Sequence, residues 1–183
     1  MARRIIIDTD PGIDDAMAIF FALASPELEI VALTTVFGNA HTPVCTANAL
    51  RLLEIAGRTD IPGAEGADTP LEMRFRGLAD YVHGANGQGD APMEPPTTSA
   101  VNESAVQLIV DRVMSSPGEI TLVPIGPLTN VALALRAAPD LVDRIAGISL
   151  MGGGTFGNRD VMSEFNIWAD PEAAAMVFAC GVP

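Results

Sequence analysis

The chain has 183 residues, 49% of them apolar and 18% charged, with a formal net charge of −13. That length suits one domain, since domains run to about 100–200 residues, and it is enough to bury a core. The composition excludes intrinsic disorder, and the acidity excludes a nucleic-acid backbone or an anionic membrane as partner. No apolar run approaches the ~20 residues of a membrane span. The N-terminal MARRIIIDTDPG has a positive start but only three apolar residues, Ile5 to Ile7, before the next charge, too few for a signal peptide. The two cysteines, Cys45 and Cys180, exclude a disulfide scaffold or a CxxC metal site. Both read as small buried thiols in helices, as expected of a cytoplasmic protein. All ten basic residues are Arg. Without Lys there is no Schiff-base chemistry and no P-loop phosphate binding.

Arg3 to Asp10 reads as a strand whose Ile5-Ile6-Ile7 run suits burial on both faces. Pro11-Gly12 breaks it, and Asp14 to Ala24 reads as a helix, apolar at Ala16, Met17, Ile19, Phe20 and Leu23. Glu29 to Phe37 is a second strand, left at Gly38-Asn39. Thr42-Pro43 starts a helix that runs to about Ala56. Residues 61–102 are rich in Gly and Pro and read as loop, with one short helix near Leu78 to Val82; the part from 66 to 102 is expected to lie over a site. Glu103 to Ser115 is a helix, Ile120 to Ile125 a strand, Pro127 to Ala137 a helix and Ile145 to Met151 a strand. The loop GGGTFGNRDVMSEFN follows, and then a last helix, Asp170 to Ala179. Strands alternating with helices imply right-handed βαβ units: a single α/β domain over 1–183, with an open, mostly parallel, Rossmann-like sheet and helices on both faces. Ligands in such sheets bind at the carboxyl ends of the strands. Asp8 to Asp15, Gly38-Asn39, Gly126 and Gly152 onward therefore fall along one rim.

The segment Asp8-Thr9-Asp10-Pro11-Gly12-Ile13-Asp14-Asp15 places four carboxylates in eight residues. Asp8 and Asp10 share a strand parity and point to one face, while Asp14 and Asp15 open a helix whose dipole favours negative charge. Burying converging carboxylates unpaired is costly, and a hard divalent cation with oxygen ligands relieves the cost. An EF-hand is excluded, because Gly12 sits at the wrong loop position and Ile19 stands where its Glu is required. Gly152 to Gly157 fits G-x-G-x-x-G, but a polar loop follows instead of a helix, so a dinucleotide site is rejected.

DTDPGIDDAMAI resembles the signature of the inosine–uridine-preferring nucleoside hydrolases. The resemblance continues in order through Gly38-Asn39, LVPIGPLTN at 122–130, LMGGG at 150–154 and EFNIWADPEAA at 164–174. It implies a nucleoside hydrolase fold holding one Ca²⁺, with Asp10, Asp15 and the Ile125 carbonyl matching its ligands. Asp10 also matches the base that takes a proton from water. Asp14, Asn39, Asn158, Glu164 and Asn166 match ribose contacts, Met151 packs in the same pocket, and His83 resembles a loop histidine near the nucleobase. The implied reaction is hydrolysis of the N-glycosidic bond of ribonucleosides to base and ribose, in nucleoside catabolism and salvage. An activated water with a carboxylate base and no covalent intermediate is the inverting arrangement. Dimers or tetramers are implied. His41, at a helix start, and Trp168 are expected to be structural, and Asp8 a supporting carboxylate.

Relative to that family the chain is expected to be C-terminally incomplete. It stops at Gly181-Val182-Pro183, and the family's last metal-binding Asp, with the His beside it in many members, matches no residue here. A weakened Ca²⁺ site, an exposed sheet edge and exposed apolar surface follow as expectations. Two other readings compete. One is a non-catalytic nucleoside- or ribose-binding remnant. The other is a haloacid-dehalogenase-like phosphatase with Asp8 as nucleophile, disfavoured because that chemistry normally uses a downstream Lys.

Overall fold

Five parallel strands in the order β3-β2-β1-β4-β5 form the sheet of the computed structural model, which describes residues 2–183. Met1, the first residue of the expected domain, lies outside them. The strands are β1 (Arg3–Thr9), β2 (Leu28–Thr35), β3 (Gly63–Glu65), β4 (Ile120–Pro124) and β5 (Gly147–Ile148). The helices are α1 (Ile13–Ala24), α2 (Thr42–Ile55), α3 (Asp80–His83), α4 (Ala105–Ser115), α5 (Thr129–Ala137), α6 (Phe165–Ala169) and α7 (Pro171–Phe178). A 3₁₀ turn, Pro139–Asp143, follows α5.

β1 is central because its isoleucines serve two cores. Ile5 and Ile7 pack with Ile19, Leu33 and Leu53 under α1 and α2. Ile6 packs with Ile109, Leu122 and Val131 under α4 and α5, in a cluster that also takes Ala173 and Val177 of α7. A strand between two layers must be apolar on both sides, hence the unbroken run. β1 pairs with β2 on one side and β4 on the other. The chain order thus reverses beside β1, and the crevice beyond its carboxyl end is where open α/β sheets take ligands.

The structure departs from the sequence expectations in four places. β3 lies within the stretch read as loop. Its Gly-Ala-Glu has no side-chain period to read, and it is held by pairing with Leu33–Thr35 of β2. β5 is two residues long instead of Ile145 to Met151, although Ser149 N–H and Met151 N–H still donate to Leu122 and Pro124 carbonyls at 2.9 Å. α6 arises where loop was expected, because Glu164 caps it by accepting from Asn166 and Ile167 N–H. Cys180 lies just past the end of α7, half-buried, while Cys45 is buried in α2; both are free thiols. Exposed apolar surface is present, with Phe21 75% and Met17 69% accessible on α1 and Phe178 63% on α7. Among the described residues no helix is long and apolar enough to cross a membrane.

Asp170 ties the C-terminal helices to the rest. It is fully buried. Oδ1 accepts from Ala173 N–H at 3.0 Å, capping α7, and Oδ2 accepts from Thr129 Oγ1 at 2.7 Å and Leu71 N–H at 2.9 Å. Removing it costs a cap and strands two donors. Asp170→Ala is therefore expected to destabilise the chain by about 3 kcal/mol. That lowers the melting temperature by roughly 6–12 °C, as read by circular dichroism.

Candidate active site

At the end of β1 the chain turns through Pro11-Gly12 into α1, whose N-cap is Gly12. Asp15, in the first turn of α1, reaches back. Its Oδ2 accepts from Gly12 N–H at 3.0 Å and its Oδ1 from Thr9 Oγ1 at 2.7 Å. Asn39, just past β2, joins the two carboxylates. Its N–H donates to Asp10 Oδ2 at 2.7 Å, and its Nδ2 donates to Asp10 O at 3.0 Å and Asp15 Oδ2 at 3.2 Å. Glycines clear the space around Asp10. A Cβ on Gly38, whose φ is +155°, would overlap Asp10 Oδ2, and one on Gly126 would lie 2.6 Å from Asp10 Oδ1.

Asp10 and Asp15 are both buried. Burial raises the Asp10 pKa well above the ordinary carboxylate range, and the charges of Asp15 and Asp14 push it further. Asp15 is raised too, chiefly by burial, against the hydrogen bonds from Thr9 and Gly12. Among the described residues no Arg pairs with either. Two adjacent buried carboxylates with no positive partner form an oxygen-only set suited to a hard cation. No third His, Cys, Asp or Glu among the described residues completes a metal-binding group with them.

Asp8 belongs elsewhere, against the expectation from parity. β1 ends at Thr9, so alternation does not carry to Asp10. Asp8 is buried beneath α5, where its Oδ1 accepts from Thr34 Oγ1 at 2.6 Å and Asn130 Nδ2 at 2.8 Å. Its Oδ2 has no hydrogen-bond partner among the described residues. Burial raises its pKa to about 7, against those two hydrogen bonds. A side chain so enclosed does not meet a phosphoester, and the phosphatase reading is set aside.

Asp10, Asp14, Asp15 and Asn39 line one cavity of about 620 Å³, together with His83, Ile125, Met151, Asn158, Glu164 and Asn166. Every residue that the family resemblance matched to the metal, the ribose or the base therefore borders the same space, and Asp8 does not. Glu164 is engaged at both oxygens: Oε1 accepts from Asn166 N–H, and Oε2 accepts from Gly153 and Ile167 N–H, each at 3.1 Å. Asn158 Oδ1 accepts from Phe165 N–H at 2.7 Å. Asn166 Nδ2 donates to the Ile125 and Met151 carbonyls at 3.0 and 3.1 Å. His83, on α3, accepts from Ile13 N–H at Nδ1 (3.2 Å), so its proton lies on Nε2, 3.8 Å from Asp14 Oδ1. Trp168 stays outside the cavity, stacked 4.3 Å from Arg76 and 4.5 Å from Arg159, so that it joins the two flanking loops.

Sequence reading missed part of the apolar wall: Ile13, Met17, Val82 and Phe165 also line the cavity. Met17 fits the core period of α1 but lies at the pocket mouth, and periodicity alone does not separate the two. Tyr81, 64% exposed, stands there as well.

Residues 5–183 match the family described as inosine-uridine preferring nucleoside hydrolase. Uridine nucleosidase 1 of Arabidopsis thaliana is 48% identical over 181 residues, a match covering 98% of this chain and 54% of that protein. A solved plant nucleoside hydrolase, PpNRh1, superposes with a TM-score of 0.96 at 47% identity, covering 100% of this chain and 58% of the other. A purine-preferring ribonucleoside hydrolase from Gardnerella vaginalis superposes with a TM-score of 0.95 at 36% identity, covering 99% and 59%. The chain thus spans a little over half the length of these relatives. With the match running over nearly every residue, and the parallel sheet shared with those structures, the chain belongs to the inosine-uridine preferring nucleoside hydrolase family.

Proposed function

We propose that this chain carries the ribose- and metal-binding part of a site that hydrolyses the N-glycosidic bond of ribonucleosides. One observation carries the reading: buried Asp10 and Asp15, paired with no Arg among the described residues, face a cavity whose other polar lining suits a polyhydroxylated ring. Asp10, Asp15 and the Ile125 carbonyl are an all-oxygen set that fits Ca²⁺. When bound there, Ca²⁺ would acidify and orient a water.

The chain's own groups then divide the work. Asp10 accepts the proton of the attacking water, whose oxygen bonds to the anomeric carbon as the N-glycosidic bond breaks. The bonding pair leaves with the base, which accepts a hydrogen bond from His83 Nε2–H and takes its proton from solvent water. Asp14, Asn39, Asn158, Glu164 and Asn166 hold the ribose hydroxyls. Asp14 and Glu164 place negative charge beside the ribosyl carbon as it becomes cationic. With water attacking opposite the leaving base and no covalent intermediate, the anomeric centre inverts. The segment 66–102 contributes the wall bearing Tyr81, Val82 and His83.

The test is ribose release from a panel of ribonucleosides by the purified chain, in Ca²⁺ and in chelator. Release is expected in Ca²⁺ alone. Asp10→Asn is expected to lower kcat/KM by about 10²–10⁴-fold, the usual worth of a positioned base. Binding of uridine without turnover would instead establish a binding chain.

A pH signature follows from the carboxylates. Their folded pKa values are raised, so the stability they contribute is full below the ordinary carboxylate range and is lost as pH rises through the folded values, about 7 for Asp8. In chelator the melting temperature is therefore expected to fall between pH 4 and pH 8. A cation needs the ionised forms, so the rise in melting temperature on adding Ca²⁺ is expected to be larger at pH 8 than at pH 5. Differential scanning calorimetry at both pH values checks both signs.

A further inference from the structure

The segment that brings His83 to the cavity has little to hold it by itself. α3 is four residues long, and Gly84, Gly87 and Gly89 after it all have positive φ. What fixes it lies in the acidic turn. Gln88 Nε2 donates to both the Pro11 and Gly12 carbonyls, each at 2.9 Å, spending its two hydrogens on successive peptides 77 and 76 residues away. Among the described residues no other side chain of this segment donates to that turn. The histidine ring rests on the same turn: Nδ1 accepts from Ile13 N–H, and a Cβ on Gly12 would lie 2.8 Å from Nδ1. Gln88 is also tied back to His83 through the backbone, since Gly89 N–H donates to the His83 carbonyl at 2.6 Å. Buried Asn48 of α2 supplies a separate anchor, donating to the Asn86 carbonyl at 2.9 Å.

We propose that Gln88 is a positioning residue: by clamping the Pro11-Gly12 carbonyls it sets the imidazole of His83 against the start of α1, in the tautomer with the proton on Nε2, directed at the cavity. The proposal rests on the reading of the cavity as a ribonucleoside site, in which that N–H donates a hydrogen bond to the leaving base. The Pro11 and Gly12 carbonyls point to the amide nitrogen of Gln88 and not its oxygen, so both hydrogen bonds require a donor. Glu at 88 keeps the shape and puts a carboxylate oxygen against two carbonyls. Met keeps the length and offers nothing.

The test compares Gln88→Glu and Gln88→Met, each alone and combined with His83→Ala. Ring ¹⁵N spectra of His83 are recorded for the parent and the single variants. Both single variants are expected to lose roughly tenfold in kcat on uridine, the worth of one to two hydrogen bonds, with KM within about twofold. The same substitutions are expected to change nothing further once His83 is Ala. The His83 ring is expected to show one Nε2–H tautomer in the parent and an average of two in Gln88→Met. Equal losses with and without His83, or an unchanged His83 spectrum in both variants, would overturn the proposal. Should the parent release no ribose, the hydrolase reading fails while the spectra still decide the role of Gln88.

Discussion

Asp10 and Asp15 are buried side by side at the end of the central strand, and the charge of Asp15 adds to the cost of charge on Asp10. Much of the rim exists to keep them there. Asn39 spends its backbone and side-chain N–H groups on them, Thr9 and Gly12 donate to Asp15, and Gly38 and Gly126 leave the room that Asp10 occupies. Hydrogen bonds of this kind lower a carboxylate pKa, yet here burial outweighs them. No Arg among the described residues offsets that imbalance.

The second half of the rim is organised around backbone. Glu164 uses both oxygens on three N–H groups at the start of α6, and Asn166 straps the carbonyl that follows β4 to the one that follows β5. These residues hold loop backbone before they hold any ligand. Glu164 thus presents an oriented carboxylate to the cavity, with its rotamer already fixed, so little ordering entropy remains to be lost there.

Much of this was legible in the sequence for stated reasons. The Ile5–Ile7 run and the alternation of strands and helices give the parallel sheet, because apolar period and breakers are local signals. The acidic turn was legible because four carboxylates at one junction demand an explanation. Parity failed at Asp8, since a strand's period holds only as far as its hydrogen bonds. β3 escaped because Gly-Ala-Glu is strand by virtue of its neighbour alone. α6 is short and depends on a cap, Glu164, that also reads as a ligand. The support given by Asn48 and Gln88 left no trace, because one amide in a polar loop looks like any other until the turn it grips is placed beside it.

The position of β1 between β2 and β4 has a kinetic side. A single helix separates β1 from β2, whereas β4 returns to β1 only after α2, β3, α3 and α4 have been passed. Closing the longer loop costs more chain entropy, and non-local parallel pairing is slow. The contact of Asn39 with Asp10 belongs to the shorter closure. Ile125 and Gly126 follow β4 and so belong to the longer closure. The acidic side of the rim is thus the local part of the cavity, and its roof the non-local part.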